Sequence, residues 1–122
     1  MTEQDMRLVL LAQPALAALI GERLYPLTLP QGATMPAMTY AVISGNTPGT
    51  HTGPGLSRRR YQFDCWGMTY SSADAVATAL VDAVSSKRGV IGQASLLENE
   101  IDQYEPETKR YRRIVDVMVY GV

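Results

Sequence analysis

The most constraining feature of the sequence is the strict alternation of side chains over residues 57–66. Tyr61, Phe63 and Cys65 fall at every second position, and mostly polar residues stand between them. A period of two is typical of a β-strand whose two faces meet different surroundings. The chain has 122 residues, of which 46% are hydrophobic, and this is enough for one buried core. We therefore predict a single folded domain over residues 1–122 that is built around this strand.

A β-hairpin is predicted for the last third of the chain. Its strands are residues 95–104 and 110–120, and Pro106 suits the first central position of the turn between them. One more strand is predicted for residues 38–44, where apolar and polar side chains again alternate.

The predicted hairpin has a preferred register. Three alternating valines mark the inward face of its second strand, and Leu97 and Ile101 are expected to face the same way. The register that brings these faces together pairs Asp102 with Arg112. This pair would place opposite charges side by side on the outer face of the sheet.

Two regions show the apolar spacing of amphipathic helices. The first covers residues 3–20, but proline has no amide hydrogen and disrupts a helix interior. We therefore predict a break near Gln13, a second helix that begins at Pro14, and an end at Gly21. The other helix is predicted for residues 71–87, with hydroxyl residues before it that suit its N-terminal cap.

The predicted order is helix, two strands, helix, two strands. This order favours the α+β class, with a four-stranded antiparallel sheet flanked by helices. Residues 23–25 are expected to be extended, because a proline follows them. Residues 45–56 are polar and rich in glycine, so they are predicted to form a mobile loop. Asn46, Thr50 and His51 lie in this loop and are candidate contact residues.

Signals for catalysis are nearly absent from the sequence. The single cysteine, Cys65, alternates with core residues, and the single histidine, His51, stands in the predicted loop, so no nucleophile–base pair is indicated. Neither a metal site nor a cofactor site is predicted, since no phosphate-binding or metal-ligand motif is present. Glu98, Glu100 and Asp102 are interpreted as a solvated or charge-paired strand face. The sequence contains no run of apolar residues long enough for a membrane span.

Arginine is used in a distinctive way. The chain has 11 basic residues and a net charge of −1, and nine of the 11 are arginines. Arg58, Arg59 and Arg60 are consecutive, and three more arginines lie within residues 110–113. Because the planar guanidinium group binds carboxylates and phosphates through two hydrogen bonds, such clusters suit an interface. A solubilising surface is the alternative, and the sequence leaves both open.

The outer face of the predicted sheet carries more large apolar side chains than a solvated face needs. If the valines of the last strand point inward, Ile114, Met118 and Tyr120 point outward, and Trp66 is expected to join them. Either the N-terminal helices cover this face or another subunit does. The second alternative predicts an oligomer that is built partly from the sheet.

In order and spacing, a series of short stretches resembles the small tail-completion proteins of long-tailed phages, prophages and gene transfer agents. The stretches are LLAQPALAALIG at 10–21, RLYP at 23–26, LPQGA at 29–33, PAMTY at 36–40, YQFDCW at 61–66, YS at 70–71, YEPET at 104–108 and YRRIVD at 111–116. The resemblance covers nearly the whole chain.

This resemblance implies a structural protein of the virion without catalytic residues or cofactors. Similar proteins assemble as a ring, typically of six subunits, on the head-proximal end of the tail tube. The ring stops tube polymerisation and joins the tail to the head. The implied partners are other copies of the chain, the tail tube protein and the head–tail connector or stopper. DNA would only pass through the lumen, no membrane is involved, and assembly would take place in the host cytoplasm.

Three alternatives remain at this point: a neck or stopper protein on the head side of the joint, a small α+β enzyme, and a nucleic-acid-binding module. For the ring, the arginine cluster is expected at a subunit interface or near the lumen. The expected interface residues are Asn46, Thr50, His51, Arg58, Arg59, Arg60, Trp66, Asp102, Arg112 and Tyr120.

Overall fold

Three helices and five strands make up the part of the chain that the computed structural model describes, which is residues 3–46, 58–85 and 94–120. In chain order they are α1 (Glu3–Leu11), α2 (Pro14–Ile20), β1 (Leu24–Pro26), β2 (Ala37–Asn46), β3 (Arg58–Gly67), α3 (Tyr70–Val84), β4 (Ala94–Glu105) and β5 (Arg110–Tyr120). Among these elements, no helix is long and apolar enough to cross a membrane.

The fold is of the α+β class, as predicted, but its sheet has five strands rather than four and is mixed rather than antiparallel. The strand order is β1-β2-β3-β5-β4. The additional strand is β1, which runs parallel to β2 and pairs Leu24 with Met38. The extended conformation near Pro26 was predictable, whereas the pairing was not, because a three-residue strand has no periodicity that indicates a partner.

Proline determines where the N-terminal helices divide, as predicted. Leu11 ends α1, and Pro14 is the first residue of α2, where its missing amide costs no helical hydrogen bond. The second helix stops at Ile20. Gly21 follows with a φ of +58°, a backbone angle that residues with a Cβ atom rarely adopt.

The third helix begins with a capping box. Thr69 accepts a hydrogen bond from the backbone N–H of Ser72, and the Ser72 hydroxyl pairs in return with the backbone N–H of Thr69. The helix starts at Tyr70, one residue before the predicted start. The helix ends at Val84, and the last two residues of the predicted helix, 86 and 87, lie outside the described residues.

All three helices pack on the same face of the sheet. Met6 of α1, Leu16 of α2 and Leu80 of α3 belong to one buried cluster together with Phe63 of β3 and Val115 of β5. Tyr61 and Cys65 also have fully buried side chains in this cluster, as the alternation in β3 predicted. The described helices therefore cover one face of the sheet and leave the other without a helix.

The hairpin forms as predicted, but the predicted register is wrong for the residues next to the turn. Asp102 pairs with Arg113, and Gln103 pairs with Arg112. Asp102 and Arg112 therefore lie on opposite faces of the sheet. A β-bulge between Leu97 and Asn99 inserts one extra residue, Glu98, into β4.

The bulge explains why the predicted face was correct for Leu97 and wrong for Ile101. Leu97 pairs with Val117, which fits the expected register. Beyond Glu98 the faces of β4 are exchanged, so Ile101 pairs with Ile114 on the face opposite the valines. The strand β2 also extends further than predicted, since Gly45 and Asn46 pair with β3, so they are not loop residues. The remaining residues of the predicted loop, 47–56, lie outside the described residues.

The capping box makes a stability difference that can be measured. Thr69→Ala removes the acceptor for a backbone amide of α3, so the free energy of unfolding is expected to fall by about 1 kcal/mol. Ser71→Ala is the matched control, because Ser71 is also exposed and carries a hydroxyl near the helix start, but that hydroxyl bonds to no other described residue. Denaturant unfolding of the two variants tests this, and equal stabilities would show that the cap is not used.

Candidate assembly surface on the open face of the sheet

The face of the sheet without helices carries the residues of functional interest, and we call it the open face. Its side chains come from alternate positions of four strands, as the register requires. Those from β3 and β5 are Arg58, Arg60, Gln62, Asp64, Trp66, Arg110, Arg112, Ile114, Asp116, Met118 and Tyr120. Those from β2 and β4 include Ala37, Thr39, Ala41, Leu96, Asn99, Ile101, Gln103 and Glu105.

The N-terminal helices do not cover the apolar residues of this face. Glu3 at the start of α1 contacts Arg59 and Tyr61, whose side chains lie on the helix face. Met6 and Leu10 of the same helix are buried in the core cluster on that side. Of the two explanations for the outward apolar residues, cover by α1 and α2 is therefore wrong within the described chain.

Ion pairs run across the open face between neighbouring strands. The guanidinium of Arg60 donates to Asp116 at 2.8 Å, and that of Arg112 donates to Asp64 at 3.4 Å. Arg112 also reaches Gln103 across the hairpin. Two of the arginines that the sequence offered for an external partner, Arg60 and Arg112, are thus paired within the chain.

Trp66 is held firmly at one end of the open face. It is only 8% exposed, and its indole N–H donates to the hydroxyl of Thr39 at 3.2 Å. The guanidinium carbon of Arg112 lies 5.0 Å from the ring centroid, which is a cation–π distance. Trp66 lies on the outward face, as predicted, but it is largely covered and its described contacts are intramolecular.

The polar network of the open face is not fully satisfied. Burial raises the pKa of Asp64, and the hydrogen bond from Gln62 and the charge of Arg112 oppose this rise. Three buried atoms have no hydrogen-bond partner among the described residues: Arg60 Nε, Arg112 Nε and Asp116 Oδ1. Buried polar atoms are usually paired in folded proteins, and each unpaired one costs free energy. All three lie on this one face.

The three consecutive arginines do not form one patch. Alternation along β3 places Arg58 and Arg60 on the open face and Arg59 on the helix face. Arg59 pairs with Glu3, and Arg60 pairs with Asp116. Arg58 is exposed and pairs with no carboxylate in the described part of the chain, so among the three it is the arginine whose charge is not neutralised by another described residue. The anchoring of α1 through Glu3 was missed in the sequence, since nothing local indicates a contact between residues 56 positions apart.

Asp102 belongs to a different cluster from the one predicted. Its carboxylate accepts from the guanidinium of Arg113 at 2.6 Å and from the hydroxyl of Tyr70 at 2.9 Å. Arg113 also pairs with Asp74 of α3. The hydrogen bond from Arg113 holds the pKa of Asp102 below its ordinary value. The cluster ties the N-terminal end of α3 to the hairpin on the helix side of the sheet.

The other predicted contact residues are only partly placed. Tyr120 is half-buried on the open face, between Arg58 on β3 and Ala94 on β4. The backbone of Asn46 pairs with that of Arg58. Thr50 and His51 lie outside the described residues.

Comparison with known proteins identifies the family. The family model "Tail completion protein gp17" matches residues 4–120. The chain belongs to this family. A protein chain in the structure described as "Virion of native gene transfer agent (GTA) particle" has a similar fold, with a TM-score of 0.69. It is 16% identical, and the match covers 94% of this chain and 90% of that chain. A search of curated proteins found no match.

The resemblance noted in the sequence is thereby confirmed at the level of the family. The protein is a structural component of the virion that takes part in completing the phage tail. The single cysteine, which an enzyme could use as a nucleophile, is poorly suited to that role. Cys65 is fully buried, and burial raises the pKa of its thiol, so the reactive thiolate is disfavoured. Within the described ranges, no three histidine, cysteine or acidic side chains gather as metal ligands.

The corrected register predicts which charge pair is coupled. In a double-mutant cycle, Asp102→Ala and Arg113→Ala should show a coupling free energy of about 0.5 kcal/mol, because solvent screens the half-exposed Asp102. The matched cycle of Asp102→Ala with Arg112→Ala should show almost none, since these side chains lie on opposite faces. Urea unfolding of the variants measures both. Coupling to Arg112 and not to Arg113 would contradict this register.

Proposed function

We propose that this tail completion protein forms a ring, typically of six subunits, that caps the head-proximal end of the tail tube. The ring stops polymerisation of the tube and presents a docking surface for the head. Its partners are other copies of the chain, the tail tube protein and the connector or stopper of the head. DNA passes through the lumen without being held. The ring is built in the host and remains at the head–tail junction.

The proposal rests on one observation. The chain belongs to a tail completion family, and its sheet has an open face with uncovered apolar side chains. Ile114, Met118 and Tyr120 are only half-buried there, and Leu96 and Ile101 are exposed, without a helix above them. Large apolar side chains that remain uncovered on a sheet mark interaction surfaces. Covering this face with a second protein surface would exclude water from them.

The charges of this face fit a protein partner better than DNA. Arg60 and Arg112 already pair with carboxylates of the same chain, and binding to phosphates requires arginines and lysines that are free to neutralise them. The overall charge of −1 agrees with this interpretation.

A closed ring needs two different surfaces on each subunit that meet head to tail. The two faces of this chain differ strongly, because one is covered by three helices and the other is open. This asymmetry supports a heterologous contact. Among the three arginines, Arg58 is the best candidate for such a contact, since its charge pairs with no other described residue.

Deleting the gene from its parent genome and viewing the lysate by negative-stain electron microscopy tests the function. Overlong tails beside unattached heads are expected, because nothing would stop the tube. Tails of normal length beside empty or leaking heads would instead assign the protein to the head side of the joint, as a stopper. Intact infectious particles would overturn both.

A pair of leucines tests the role of the open face. Leu96 on the open face and Leu8 on α1 are both 55% exposed, so Leu96→Arg and Leu8→Arg are matched in exposure and chemistry. Leu96→Arg is expected to lower the infectious titre by about tenfold or more, which is the effect of losing about 1.4 kcal/mol of binding free energy.

Leu8→Arg should leave the titre close to that of the parent. Circular dichroism of both purified variants confirms that they fold. An equal titre for the two variants would show that the open face is not the assembly surface.

A further inference from the structure

The two edges of the sheet differ in how far they are protected against pairing with another strand. At the β1 edge, the strand has only three residues and ends at Pro26. Arg7 donates to the carbonyl of Leu24 at 2.9 Å and to that of Glu22 at 3.0 Å. A short strand, a proline and a guanidinium on the carbonyls all block the addition of a strand.

The β4 edge is long and has none of these blocks. The strand covers 12 residues and contains no proline, lysine or arginine. Because β4 is last in the order of the described strands, one side of its backbone has no neighbouring strand among them. After the bulge, Asn99 to Glu105 pair with β5 without interruption. A ladder of seven residues is long enough to receive another strand.

The side chains along this edge define what would match it. On the helix side Glu100, Asp102 and Tyr104 follow one another. On the open side Ile101 is 47% exposed and is flanked by the uncharged Asn99 and Gln103. An added strand that is basic on one side and aliphatic on the other would meet both rows.

The acidic charge of β4 is only partly used within the chain. Asp102 pairs with Arg113, and Glu105 lies 3.9 Å from Arg112. Glu98 and Glu100 are exposed and form no ion pair with another described residue. Within the described part of the chain, these two carboxylates are therefore available to an external cation.

A second copy of β4 does not fit this edge. Antiparallel pairing of two β4 strands would bring the free carboxylates of Glu98 and Glu100 close to the acidic residues of the other copy, and like charges on paired strands repel. The β1 edge of a second copy is too short and is already capped by Arg7. The occupant that remains is a strand of different sequence.

We propose that the β4 edge binds an extended segment of a partner protein, with basic side chains at alternate positions and aliphatic side chains between them, as a sixth strand of the sheet. The inference stands on the backbone edge and its charge, and it does not require that the protein forms a ring. Strand addition supplies affinity through main-chain hydrogen bonds, and the alternating side chains supply specificity.

The test uses the purified full chain and a fluorescent eight-residue probe peptide of alternating lysine and valine, with blocked ends. Fluorescence anisotropy measures binding, and hydrogen exchange measures protection of individual amides. Binding is expected to protect alternate amides of β4, because only every second amide points outward from an edge strand. A probe of the same composition with all lysines at one end is expected to bind much more weakly.

Matched charge variants separate strand addition from general attraction. Glu98→Lys with Glu100→Lys is expected to weaken binding of the alternating probe about tenfold or more. Glu22→Lys with Asp82→Lys changes the net charge equally at exposed positions away from the β4 edge, and it should change the affinity less than about twofold. If the first pair failed to fold, Glu98→Gln with Glu100→Gln gives the same comparison with smaller effects.

Three results would overturn the proposal. One is the absence of binding, and another is equal loss of binding in both pairs of variants, which would indicate attraction to net charge alone. The third is protection of amides elsewhere than in β4. None of these results bears on tail length or on the ring, which the gene deletion examines.

Discussion

The structure depends on the one-sided burial of its sheet. Hydrophobic side chains of α1, α2 and α3 all converge on the same face, where Phe63 and Val115 lie at the centre. Because apolar burial is the main favourable contribution to folding, this arrangement stabilises the domain while it leaves the second face available. A sheet between two layers of helices would have no such face. The capacity to assemble with other proteins therefore follows from where the three helices pack.

The open face has a consequence for the arginines that lie on it. A strand next to water carries polar side chains, but the proposed assembly requires the same face to accept a partner, and free charge would oppose that association. Arg60 and Arg112 are paired across strands with Asp116 and Asp64, and Arg112 also covers Trp66. The face is thus rich in charged groups but nearly neutral locally. The raised pKa of Asp64 and the three unpaired buried atoms show that this neutralisation is incomplete in the single chain.

Most elements of the fold were predictable because their signals are local. Alternation identified β3, the proline at position 14 divided the first two helices, and the apolar spacing identified α3. The fifth strand and the contact between Glu3 and Arg59 were not predictable, since they join segments distant in sequence that carry no periodic signal. For the site, the sequence indicated the apolar open face and the arginine-rich strands. The prediction treated the three arginines as one cluster. The alternation of side chains along a strand is enough to place Arg59 on the face opposite its two neighbours.

The register error has a functional consequence, because the bulge decides what each side of β4 displays. If Glu98 paired regularly with β5 instead of bulging, the acidic residues of β4 would lie on the open face and Ile101 would lie with the valines. The bulge exchanges these rows beyond Leu97. It moves Glu100 and Asp102 to the helix side, where Arg113 meets Asp102, and it moves Ile101 onto the open face. The bulge therefore makes the open face more apolar and concentrates negative charge along one side of the free edge.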